Sequence, residues 1–86
     1  MAAYQVEFRG SAKRELFRLD VQMRQRVVAA IDELADQPRP VGMRKLAGAD
    51  QTYRIRIGEY RVIYTIDDAR RAITIDRVRH RSDAYR

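Results

Sequence analysis

Arg54, Arg56 and Arg61 are the residues of this 86-residue chain whose type and spacing first point to chemistry. Arg54 and Arg56 alternate with Tyr53, Ile55 and Ile57. Gly58-Glu59 is a two-residue turn of the Gly-X kind, suited to a type II′ hairpin. Tyr60, Val62, Tyr64 and Ile66 then alternate with Arg61, Ile63 and Thr65. Such a turn sets Ile57 against Tyr60, Arg56 against Arg61, Ile55 against Val62 and Arg54 against Ile63. The three arginines therefore share one face, and the apolar set from Tyr53 to Tyr64 shares the other. Like charges directly opposite on a sheet are unfavourable, by roughly 0.2 to 1 kcal/mol. The juxtaposition makes sense if a polyanion sits on that face, because guanidinium groups bind phosphate through paired donors. The plainer reading is a solvated strand face whose charges neighbours offset, with Asp76 on the next strand able to neutralise one arginine. Spacing alone leaves both open.

His80 is the sole histidine, set between Arg79 and Arg81 just past a strand. It is either an imidazole suited to accepting a proton or a strand-end residue with no role. Tyr85 carries a hydroxyl and a ring that could stack on a base; the alternative is an aromatic packing the tail onto the sheet. The sequence holds no paired carboxylates, phosphate-cradling Gly loop or hydrolase triad.

Eighteen Lys and Arg against 12 Asp and Glu give a net charge of +6. That balance fits an anionic partner (nucleic acid, a membrane surface or an acidic protein) without choosing among them. With no cysteine and one histidine, disulfides, thiolate metal sites, thiol nucleophiles and His-rich metal centres are excluded, so catalysis is expected without metal or cofactor. No apolar run approaches the roughly 18 residues needed to span a bilayer, and no signal pattern opens the chain. A soluble cytoplasmic protein with no membrane partner is expected.

The surrounding elements must position these residues. Tyr4, Val6 and Phe8 alternate as a short strand with one buried face, broken by Gly10. Ser11 is a plausible N-cap for a helix carrying Ala12, Leu16 and Leu19. Asp20 caps a second helix through about Ala35, with Met23, Val27, Ile31 and Leu34 on one stripe that Val28 and Ala35 widen. Arg24 and Arg26 lie off the stripe and read as solvated. Pro38 and Pro40 end that helix. Residues 37–52 read as a long loop, or one that hides a short strand. After the hairpin, Asp67–Arg71 make a polar turn, Ala72–Val78 a third strand, and Arg79–Arg86 a basic tail. The expectation is one α+β domain over residues 1–86, a small, mainly antiparallel sheet with two N-terminal helices on one face, in the order β-α-α-β-β-β.

Lys45-Leu-Ala-Gly, the block from Tyr53 to Asp67, and Arg77-Val-Arg-His-Arg-Ser-Asp-Ala-Tyr85 resemble the RelE/ParE superfamily, the toxic halves of bacterial type II toxin–antitoxin pairs. The resemblance covers nearly the whole chain and implies the same fold. RelE-like members cleave mRNA in the ribosomal A site and are silenced by an antitoxin wrapping around them; ParE-like members share the fold but poison DNA gyrase. The residue match favours the RNase branch and implies catalytic roles for Arg61, Arg81, Tyr85 and His80. It implies RNA-binding roles for Arg54, Arg56, Lys45 and Arg79. Counting forward from the strand, the last basic catalytic position falls on Arg81; counting back from Tyr85 it falls nearer Arg79, and Arg81 is preferred. Arg79 departs from the pattern, since many relatives have Gly there.

The implied reaction is attack by an mRNA 2′-hydroxyl on its own 3′-phosphate, with Arg61 and Arg81 stabilising phosphoryl charge and Tyr85 or His80 as base. The implied partners are a cognate antitoxin, the ribosome with mRNA in its A site, and operator DNA through the antitoxin complex only. Gyrase inhibition by protein–protein binding is the alternative, and a degenerate member that only binds its antitoxin is a third reading.

Overall fold

The alternating residues of the last third form the centre of the molecule. A computed structural model describes residues 4–48 and 50–82. Three long strands, β3 (Thr52–Ile57), β4 (Tyr60–Asp67) and β5 (Ala72–His80), run antiparallel. The β3–β4 register is the one the two-residue turn dictates, from Ile57↔Tyr60 through Arg54↔Ile63. Gly58 turns at φ 59°, and a Cβ there would lie 3.3 Å from both Met23 and Arg26 of the overlying helix. The turn thus favours glycine for its backbone, while the Met23 and Arg26 side-chain ends would need to shift only slightly for a larger residue.

A short first strand, β1 (Gln5–Phe8), joins the edge of β5 in parallel, Gln5↔Ala72 through Phe8↔Ile75. Between β1 and the hairpin lie α1 (Gly10–Phe17) and α2 (Val21–Asp36). A two-residue strand, β2 (Arg44–Lys45), pairs with β3 and completes the order β1-β5-β4-β3-β2. The α+β architecture is as expected, with β2 as the strand concealed in the long connection. Both helices cover one sheet face. Val27, Ile31 and Leu34 of α2 meet Val62, Tyr64, Ile66, Ile73 and Ile75 in a core that also takes Ala12, Leu16 and Leu19. Among the described residues no helix is long and apolar enough to cross a membrane.

Several local expectations are corrected. Asp20 caps α2, accepting from the Met23 N–H at 2.8 Å, but Ser11 does not cap α1. That helix starts at Gly10 with Arg9 in the capping position and no side-chain bond, and the Ser11 hydroxyl donates instead to the Asp76 carbonyl of β5 at 3.3 Å. Arg24 is not solvated. Its guanidinium donates to the carbonyls of Leu16, Phe17 and Leu19 (3.4, 3.0 and 3.0 Å), placing a cation at the C-terminal end of α1. Val28 is 37% exposed and does not widen the buried stripe, whereas Ala35 is buried. In β1 the buried face is half realised, with Val6 half-buried and Phe8 exposed. β5 runs two residues further than expected, to His80.

Candidate functional site

On the sheet face away from the helices, Arg56, Arg61 and Arg79 stand in one row, Arg56↔Arg61 across β3–β4 and Arg61↔Arg79 across β4–β5. The neighbouring row starts with Arg44↔Arg54 and continues to Ile63 and Arg77. Alternation puts the strand partners on the helix side: Tyr53, Ile55, Ile57, Val62 and Tyr64 are buried. Gly42, Arg44, Arg54, Ile55, Arg56 and Arg61 line a small cavity of about 80 Å³.

Asp76, which the plainer reading offered as a counter-charge to one arginine, is engaged by Arg9 and Thr65. Its carboxylate accepts from Arg9 Nε and from the Thr65 hydroxyl, both at 2.6 Å. Among the described residues, Arg44, Arg54, Arg56 and Arg79 make no ion pair. The arrangement is one of accumulated positive charge and paired donors, fitted to phosphate oxygens.

A β-bulge decides which side chains of β5 join this face. Tyr64 pairs with Ile75 but Ile63 pairs with Arg77, so Asp76 is an extra residue. Upstream of it Ile73 and Ile75 face the core; downstream Val78 does. Without the extra residue, the parity of Ile73 and Ile75 would carry Arg79 inward and His80 outward. The bulge reverses this, as bulges beside functional sites re-aim side chains.

The expected site residues therefore separate. Arg54, Arg56, Arg61 and Arg79 come together. His80 does not join them: it pairs with Tyr60 on the helix side, its ring edge-on to the Tyr60 ring with centroids 5.2 Å apart. Its Nδ1 meets the Ser82 hydroxyl at 2.8 Å and accepts from the Ser82 N–H at 3.2 Å. Arg81, just past β5, is pinned to the hairpin turn, Nε to the Glu59 carboxylate at 2.6 Å and N–H to the Glu59 carbonyl at 2.7 Å. Lys45 is in register with buried Tyr53 and so belongs to the face opposite Arg44; its ammonium lies 3.8 Å from Asp50. Tyr85 lies outside the described residues.

Beside the row, the β5 edge is treated differently. Where β1 ends, Glu15 of α1 reaches over and accepts from Arg77 Nη2 and the Val78 N–H, each at 2.8 Å. Partial burial pushes the Glu15 carboxyl upward, but the bonds from Arg77 and Val78 and the charges of Arg77 and Arg79 outweigh it and hold the group below its ordinary range.

Residues 6–85 match the family described as the ParE toxin of the type II toxin–antitoxin system, parDE. The chain belongs to the RelE/ParE superfamily of toxins. It is 40% identical over 87 residues to Toxin RelG of Mycobacterium tuberculosis, covering 96% of this chain and 97% of that one. Among solved structures it is similar to the archaeal RelE–RelB complex from Pyrococcus horikoshii OT3, with a TM-score of 0.82, 28% identity and coverage of 92% and 96% of the two chains. The toxin–antitoxin complex RelBE2 from Mycobacterium tuberculosis gives a TM-score of 0.79 and 31% identity, over 91% of this chain and 98% of that chain.

In this toxin the residue missed by sequence reasoning is Arg44. A two-residue strand is too short to display alternation, so Arg44 does not stand out in the long connection, although the resemblance implies a role for Lys45 beside it. The usable signal was the alternation of β3 itself, since any strand hidden in residues 37–52 had to pair with its free edge.

Proposed function

We propose that this toxin is a ribosome-dependent mRNA endonuclease. The observation that supports it is the row Arg56–Arg61–Arg79, three like charges across adjacent strands with Arg54 beside them. The mRNA 2′-hydroxyl attacks the adjacent 3′-phosphate; a P–O bond forms and the P–O5′ bond breaks. The products are a 2′,3′-cyclic phosphate and a 5′-hydroxyl. Arg61 stabilises the charge that builds on the phosphoryl oxygens. The register of Arg79 beside Arg61 supports Arg79 as its assistant. Arg81, engaged by Glu59, serves to hold the start of the tail. Arg54 and Arg56 bind the RNA backbone.

Tyr85, as its phenolate, takes the proton of the attacking hydroxyl, and the departing 5′-oxygen takes a proton from water. A phenol ordinarily titrates near pH 10, so this role depends on cationic neighbours. His80, on the other face against Tyr60, anchors the strand end. The ribosome supplies the remaining rate by orienting the codon. The complexes of related toxins with RelB support a protein antitoxin as the partner of this chain, with acidic side chains meeting the arginines and operator DNA bound through that complex.

Primer extension on a defined mRNA in a purified translation system tests this reading. Cuts inside codons that vanish when initiation is blocked are expected. Cuts that persist without ribosomes would make the chain a free RNase. The match to the ParE family supports a second reading, in which DNA gyrase is the target. In that case the message stays intact and DNA-damage signalling follows expression before translation stops.

A further inference from the structure

The arginine face ends at a sheet edge that β1 covers only in part. β1 pairs with β5 as far as Phe8↔Ile75. Past that point a cleft of about 440 Å³ opens between the end of α1 and the edge of β5. Glu15, Arg18 and Leu19 line one side, and Val78, Arg79 and His80, with Tyr60 of β4, line the other. The volume falls within the range of pockets that take small organic molecules.

Three kinds of group meet there. Tyr60 and His80 supply half-buried rings set edge to face. Because His80 Nδ1 accepts from the Ser82 N–H, the neutral ring carries its hydrogen on Nε2, as a donor. Arg18 is exposed and, like Arg79, makes no ion pair among the described residues, whereas Arg77 is taken by Glu15. The backbone is the third. Val78 N–H points out of the sheet to Glu15 at 2.8 Å, and Arg81 N–H points back to Glu59 beside β4. Alternation therefore turns the Val78 carbonyl and the His80 N–H to the open edge as well.

We propose that this cleft is a nucleobase subsite, taking the base of a nucleotide whose phosphate lies on the arginine row. Arg79 joins the two regions, since it stands in register with Arg61 and also lines the cleft. Unpaired RNA bases stack on aromatic rings and guanidinium planes while their edges are hydrogen-bonded. His80, Tyr60 and Arg18 offer the stacking surfaces, and the β5 edge offers an adjacent acceptor and donor. An added peptide strand fits less well, because it would need the Val78 N–H that Glu15 already holds. Contacts to phosphate carry no sequence information, so this cleft would make the toxin sensitive to the identity of a base. The inference rests on the RNase reading for RNA as the ligand.

The test uses the full chain and 2′-O-methylated RNA trinucleotides, which lack the attacking hydroxyl. The set carries each of the four bases at the middle position, and one member is abasic there. Wild type should bind its preferred base about tenfold more tightly than the abasic trinucleotide, within the worth of one stacked base. In Arg18→Ala and His80→Ala that ratio should fall towards one. Arg18 is exposed, so its variant probes the cleft even where His80→Ala unfolds. In ribosome-dependent cleavage, the spread of rates among codons should narrow in the same variants. Equal binding of intact and abasic trinucleotides by wild type, or no binding of either, would overturn the subsite. So would a ratio that both variants leave unchanged, or loss of antitoxin binding in place of base preference. Absence of cleavage by wild type, with a binding ratio that still depends on Arg18, would sink the RNase reading and leave the subsite standing.

Discussion

Arg77 and Arg79 stand two residues apart on β5, and their surroundings are opposite. Arg77 meets the Glu15 carboxylate through Nε and Nη2, and the same carboxylate takes the Val78 N–H. Arg79 is in register with Arg61, which is in register with Arg56. The first arrangement closes a sheet edge that β1 leaves uncovered past Phe8. The second concentrates charge where pairing would have been easy, since a Glu or Thr at position 56 suits a strand equally well. A carboxylate therefore ties Arg77 to the fold, whereas Arg56 and Arg79 make no ion pair among the described residues.

The contrast breaks most visibly at Arg61. Arg61→Ala should lower ribosome-dependent cleavage by about 100-fold or more, the usual loss when a charge-stabilising donor is removed, and should abolish growth arrest with an unchanged circular-dichroism spectrum. Arrest as strong as wild type from the soluble variant would refute its assignment. At the other region the effect should be on stability. Glu15→Ala leaves Arg77 and the Val78 N–H without their acceptor and should cost about 1 to 3 kcal/mol in denaturant unfolding.

A subtler variant sharpens the same point. Because the Glu15 carboxyl titrates below its ordinary value near 4.5, its contribution is complete above that pH and is lost as pH falls through the lowered folded-state value. Glu15→Gln should thus flatten the fall in melting temperature below about pH 4.5. An identical acid profile for wild type and variant would show that the carboxylate is not held as described. The smallest effect is expected at Arg56. Arg56→Thr removes one of two opposed cations and should raise stability by roughly 0.2 to 1 kcal/mol while weakening RNA binding. A variant that is both less stable and fully active would reverse the reading of that row.

Much of this was legible because short-range rules dominate where it lies. The Gly58-Glu59 turn fixes its own register, so the pairing from Ile57 to Arg54 and the shared arginine face followed from the sequence. Asp20 caps by bonding three residues ahead, also a local matter. What escaped depended on how distant elements meet. Arg24 reaches the end of the preceding helix because the turn between α1 and α2 brings the Leu16, Phe17 and Leu19 carbonyls to it. Ser11 found a β5 carbonyl in place of its own helix. That Arg79 and not His80 stands on the arginine face turns on a single extra residue at Asp76, which alternation counting cannot see. Arg44 waited on a strand of two residues.

The parallel pairing of β1 with β5 has a genetic consequence. Among the described strands β1 finds its neighbour only in β5, so the sheet order cannot close until residues 72–75 have been made. Helices and the central hairpin form from local contacts, whereas this edge joins the two ends of the chain and is slow by topology. A premature stop anywhere before β5 therefore leaves β1 unpaired, Glu15 without Arg77, and the arginine row without its third member. Nonsense and frameshift mutations before β5 should thus disarm the toxin.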